Sequence, residues 1–159
     1  MKTIISIGIL LSTIALSVSA ETPTDTREFL EQGRHLYVRS LTAIPTGVAE
    51  ADFPHLVSIS WEYQPSKLTG LPHPSVDASQ REFEAALAPL GDLGASHLAV
   101  TVLGNGRREW HWYVRDVSDW MAALNRALKS KPIYPIRIRR FFEPDWALFK
   151  RFRTRREGI

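Results

Sequence analysis

The chain has 159 residues, 44% of them hydrophobic and 23% charged, with a net charge of +3 and no cysteine. That balance fits a folded domain, and it excludes disulfides and a lipidated N-terminal cysteine. Charge is uneven: residues 21–128 carry 9 Lys/Arg against 14 Asp/Glu, whereas residues 129–159 carry 10 against 3, so the basicity belongs to the C-terminal end.

Lys2, the apolar run Ile4 to Leu16 and the small residues of Val18-Ser19-Ala20 have the layout of a secretory leader. The run is interrupted by Ser and Gly and is shorter than the ~20 apolar residues that span a bilayer. Residues 1–20 are therefore predicted to be a signal peptide cleaved near Ala20, leaving an exported chain, periplasmic or secreted. The exported part, residues 21–159, is long enough for one domain with its own core.

Residues 21–54 are predicted as a helix and a linker. Thr24-Asp25-Thr26 with Glu28 is helix-start chemistry, with Phe29, Leu36 and Tyr37 as a weak apolar stripe, while Pro45, Gly47 and Pro54 break any later period. Leu56 to Tyr63 alternates Val57, Ile59, Trp61 and Tyr63 against Ser58, Ser60 and Glu62, the period of a strand. After a Pro- and Gly-rich loop, Ser79 and Glu82 form a capping box for a helix that presents Phe83, Leu87 and Leu90 on one side.

His97 to Leu103 and Arg107 to Arg115 read as a hairpin around Asn105-Gly106. A three-residue loop, Gly104 to Gly106, pairs Val100 with Trp110 and Leu98 with Trp112. A two-residue loop would set Val102 against Glu109 and Val100 against His111, so the longer loop is predicted. Asp116 caps a second helix carrying Val117, Trp120, Met121, Leu124 and Leu128, Ile136 to Phe141 forms an edge strand behind Pro135, and Pro144 opens a final helix with Trp146, Phe149 and Phe152 inward.

The order strand, helix, strand, strand, helix, strand predicts an α+β domain over residues 55–150. The expected form is a ferredoxin-like βαββαβ antiparallel sheet of order 4-1-3-2 with its helices on one face, plus extra N- and C-terminal helices and a basic tail at 151–159. Trp61, Trp110, Trp112 and Trp120 fall on the inward side, which argues against a carbohydrate-stacking surface.

Trp61-Glu62-Tyr63, Gly70-Leu71-Pro72, Phe83-Glu84, the run Gly104 to Trp110 with Trp112-Tyr113, Leu124-Asn125 and Glu143-Pro144-Asp145-Trp146 together resemble a bacterial family known as domain of unknown function 695. The resemblance runs from about Leu56 to Phe149, and Glu143 departs from it where Asp is expected. It implies no catalytic residues. Some members are joined to a domain similar to the ribonuclease E regulator, which implies protein binding in the cytoplasm, and the leader here removes that partner.

The sheet face away from the helices is expected to be polar, with Ser58, Ser60, Glu62, Ala99, Thr101, Glu109, His111, Tyr113, Arg115, Arg137 and Arg139. It reads best as a non-enzymatic binding surface for a protein or small molecule, with Tyr113, Arg115, Arg137 and Arg139 as contacts. The alternative is a small acid/base enzyme of hydrolase type using Glu62, Glu109 and His111. No nucleophile elbow, phosphate loop or HExxH signature accompanies them, so the reading leans away from an enzyme. Neither His97 with His111 nor His55 with His73 has an obvious third ligand, so no metal and no cofactor are expected. Lys150 to Arg156 beside Trp146 and Phe149 gives a further alternative, weak contact with an anionic membrane, while nucleic acid is not expected of an exported chain.

Overall fold

Strands outnumber helices in the computed structural model, which describes residues 22–92 and 94–155. The predicted leader, its cleavage point and the end of the basic tail lie outside the described residues. The elements are β1 (Thr24–Glu31), β2 (Arg34–Leu41), β3 (His55–Glu62), α1 (Pro74–Asp92), β4 (Ser96–Gly104), β5 (Arg107–Val114), α2 (Val117–Leu128), β6 (Ile136–Phe142) and α3 (Ala147–Thr154), with a short 3-10 turn at Glu50–Asp52 before β3. The capping box at Ser79 is not the start of α1, which already begins at Pro74, where a missing N–H costs nothing. Asp116 does cap α2, accepting the Asp119 N–H at 2.8 Å.

The expected N-terminal helix is instead a hairpin. Gln32 and Gly33 both take positive φ, 52° and 73°, and make a two-residue turn of the type that matches strand twist. Phe29 and Leu36, assigned to one helical stripe, stand directly opposite each other across β1 and β2. With Val38 and Leu41 they are buried, and this one-sided burial is what holds the segment extended.

All strand pairs are antiparallel, and the sheet runs β1-β2-β4-β5-β3-β6. It is therefore six-stranded, not the four-stranded 4-1-3-2 sheet expected: the N-terminal hairpin extends it beyond β4. Gly104 sits at that seam, where an added Cβ would lie 2.3 Å from the His35 carbonyl oxygen. Only glycine lets β2 approach β4 there.

The hairpin register also differs from expectation. Asn105 and Gly106 alone form the turn, with Gly104 opposite Arg107, Val102 opposite Glu109 and Val100 opposite His111; a bulge at Ala99 then brings Leu98 opposite Trp112. Grouping apolar residues on one side misjudged the register because both faces of this sheet carry a core. On one face α1 and α2 cover Val57, Ile59, Trp61, Trp110, Trp112 and Val114. On the other, α3 closes over Phe29, Leu36, Val38, Leu56, Val100, Val102 and Tyr113 with Trp146 and Phe149.

Trp146 fixes this second core. It lies at the start of α3 in the left-handed region, φ 52° and ψ 41°, a conformation that costs a bulky residue of order 1–3 kcal/mol. Its ring stacks on Tyr113 at 4.2 Å with 5° between planes, and its Nε1–H donates to the Phe53 carbonyl at 3.2 Å. Trp146→Ala is expected to lower unfolding free energy by about 3–5 kcal/mol. Ile133→Ala, at a fully exposed position, should change it by less than about 0.5 kcal/mol, both read from denaturant unfolding curves.

Candidate functional site

On the α3 side of the sheet strand β3, between β5 and β6, sets two small hydroxyls, Ser58 and Ser60, between Leu56 and Glu62. Strand pairing sets them in rows with larger neighbours: His111, Ser58 and Arg139 in one row, Glu109, Ser60 and Arg137 in the next, then Arg107 beside Glu62. Small residues between large ones leave a low floor. Leu148, Arg151 and Phe152 of α3 form a wall along it, and the resulting open trough has a volume of about 800 Å³. Such a concave site with convergent polar groups is the usual form of a ligand site.

Five arginines and three glutamates line the trough. Arg107 joins two of the acids: its Nη1 and Nη2 donate to the two oxygens of Glu31 at 2.7 and 3.1 Å, and its Nε lies 3.3 Å from Glu109. That fork, helped by the Asn105 amide, holds the Glu31 carboxyl below its usual range. Burial pushes the Glu109 carboxyl up, but His111 and Arg107 beside it outweigh burial, and the net shift is downward. Arg139 and Arg151 have no ion-pair partner among the described residues.

His111 is buried, with Nδ1 2.9 Å from Ser58 Oγ and Nε2 3.5 Å from Glu109 Oε2, the second an ion-pair distance longer than a hydrogen bond. Glu62 stands apart from it, accepting from Arg137 at 3.0 Å near the rim, with side chains 65% and 68% exposed. The structure thus gathers Glu62, Glu109, His111, Arg137 and Arg139 in one trough.

Tyr113 and Arg115 are corrections. Both share strand parity with the trough residues, yet Tyr113 is fully buried beneath Trp146, its O–H donating to Glu143 at 2.6 Å. Arg115 lies beyond the end of β5 with its guanidinium over the Phe53 ring at 4.7 Å. Neither offers a surface contact to the trough. The paired histidines do not meet either: His97 packs edge-on against Phe53, His55 lies beside Phe142, and His73 bonds to Ser75. Among the described residues no group of three or more side chains could hold a metal.

Sequence reasoning passed over Glu31, Arg107 and Arg151 as site residues. Glu31 was hidden by the helix assignment and Arg151 by reading its segment as a tail, whereas the parity of Arg107 with Glu109 was a usable signal. β1 also anchors the wall itself: Asp25 holds Arg153 through both oxygens at 2.8 Å, and Arg27 donates to carbonyls at the end of α3, a favourable place for a cation.

The sequence profile of a family described as Family of unknown function (DUF695) matches residues 40–153. No curated protein and no solved structure matches the chain. Among the described residues no helix is long and apolar enough to cross a membrane.

Asp25, Glu31, Glu84 and Glu109 all titrate below their ordinary range in the folded chain, Asp25 through Arg153 foremost. A carboxyl with a depressed folded pKa stabilises the fold above its unfolded pKa, and that contribution disappears as pH falls through the folded value. Burial also holds the His97 imidazole below its usual range, so the unfolded chain takes up that proton first. Stability measured by denaturant unfolding is expected to decline slightly below about pH 6.5 and to fall more steeply below about pH 4 as the carboxyls protonate. Glu31→Gln should make that fall shallower.

Proposed function

The chain belongs to DUF695, a family of unknown function, and we propose that this member is a non-enzymatic binding module, exported after loss of residues 1–20, whose trough takes an anionic ligand. The observation that supports this most is the surplus of arginine over a floor of small hydroxyls. Five arginines against three glutamates leave the trough a surplus of positive charge. Arg107 bridges Glu31 and Glu109, Arg137 holds Glu62, and Arg139 on β6 and Arg151 on α3 have no ion-pair partner among the described residues. A carboxylate or phosphate placed between them would meet guanidinium forks suited to bidentate pairing, with Ser58 and Ser60 as hydroxyl partners below.

One observation favours a second reading, a hydrolase: Ser58, His111 and Glu109 follow in the order hydroxyl, imidazole, carboxylate. Ser58 sits in the middle of a strand paired on both sides. Its backbone N–H therefore belongs to the ladder and cannot stabilise an oxyanion, which is where nucleophilic serines gain most. Binding is the better fit.

Titration of the domain with citrate, and separately with inorganic phosphate, at low ionic strength should give saturable amide shifts at Ser58, Ser60 and Arg139 in NMR spectra. The double variant Arg139→Glu with Arg151→Glu should bind at least about tenfold more weakly, and added salt should weaken the wild type. Shifts that fail to saturate with both anions would rule the reading out.

A further inference from the structure

β6 is the last strand of the sheet and pairs only with β3, so its outer edge has no partner strand among the described residues. It reads Ile-Arg-Ile-Arg-Arg-Phe-Phe, and five of its seven residues are exposed, Phe141 by 48% and Phe142 by 73%. An unpaired edge presents a row of backbone N–H and C=O groups that can accept another strand. The rows of the trough run across the strands, so the trough opens sideways onto this edge, with Arg137 and Arg139 at the boundary.

We infer that β6 is a docking edge for an acidic, extended segment of a partner protein, which adds as a seventh strand and points its carboxylates at Arg137 and Arg139. This rests on the anionic-ligand reading of the trough and names the class of ligand.

Charge decides between a foreign segment and a second copy. Two β6 strands paired with each other would set arginine against arginine, which is unfavourable directly across a ladder. The opposite edge of the sheet, β1, carries Asp25, Glu28 and Glu31, but these are held within the chain by Arg153, His35 and Arg107 respectively. On β6, by contrast, Arg139 and Arg140 have no ion-pair partner among the described residues, and Arg137 holds Glu62 only in an exposed pair of the kind worth little.

Pairing also fixes the pattern of the segment. Alternate side chains of an added strand fall on the two faces of the sheet. One set lies beside Arg137 and Arg139 and should be acidic. The other lies beside Ile136 and Ile138, which border the core under α1 and α2, and should be apolar. A seven-residue stretch alternating valine and glutamate, about 23 Å long when extended, matches β6 along its whole length.

The test is fluorescence anisotropy with that labelled heptapeptide and the full exported domain. Two further peptides carry N-methyl groups on one or the other alternate set of amides, which removes donors without changing charge. Saturable binding, weakened at least about tenfold by one N-methyl set and little by the other, is the signature of edge pairing and is the expected result. Arg139→Glu should weaken the parent peptide by a similar factor. If both methylated peptides bind like the parent, strand addition is overturned while the charge-based reading of the trough stands. If no peptide binds although citrate or phosphate saturates, the peptide ligand is overturned alone; if none of these probes binds, both readings fall. Dimerisation through β6 in sedimentation velocity runs would overturn the foreign partner in favour of a second copy.

Discussion

The stack of Trp146 on Tyr113 is the contact on which the second face of this sheet depends. β5 is buried on both sides, giving Trp110 and Trp112 to the core under α1 and α2 and Tyr113 to the core under α3. Burial and the hydrogen bond to Glu143 push the Tyr113 hydroxyl well above its usual pKa, so it stays a donor. The same Glu143 oxygen also accepts the Leu148 N–H at 2.6 Å, and the Tyr113 hydroxyl accepts the Phe149 N–H at 3.3 Å. Two otherwise unsatisfied donors in the first turn of α3 are thereby met by groups tied to β5. The stack, and not a capping side chain of Trp146, decides where α3 begins, and hence where the wall of the trough stands.

Legibility followed the number of buried faces and the strength of the turn signals. Val57, Ile59 and Trp61 alternate with serines, and Val117 to Leu128 keeps helical spacing, because each packs one clear side inward; β3 and α2 could be read directly. Gln32-Gly33 is a weaker hairpin signal than Asn105-Gly106, since Gln tolerates positive φ less readily than Asn, and the N-terminal hairpin was lost with it. The misjudged β4–β5 register has another cause. Val100 and Val102 are apolar because they face α3, and a rule that gathers apolar residues on one face has no place for them.

The candidate site shows the same division. Parity along β3, β5 and β6 correctly placed Glu109, His111, Arg137 and Arg139 on one face with Ser58 and Ser60. Parity says which face a residue occupies, not what lies upon it. Tyr113 has the right parity but forms the seat of α3, and Arg151 has no parity to read because its helix arrives from elsewhere in the chain. The trough is a product of tertiary placement: β1 draws in the end of α3 through Asp25 and Arg27, and Trp146 draws in its beginning.

A polar trough beside an apolar core needs its charges arranged in advance, because an unpaired buried charge costs several kcal/mol. Glu31 and Glu109 flank Arg107, which bridges the two carboxylates, so the charges at that end of the trough are engaged within the chain. The charge that remains lies toward α3 and β6, where water still reaches the arginines. An edge strand rich in arginine repels its own copies, which protects the chain from edge-to-edge aggregation. The same arginines leave the outer N–H and C=O groups uncovered, since their side chains project from the faces of the sheet and not along its plane. Resistance to self-pairing and readiness for an acidic partner are therefore one property of β6, and the sign of its charge separates the two.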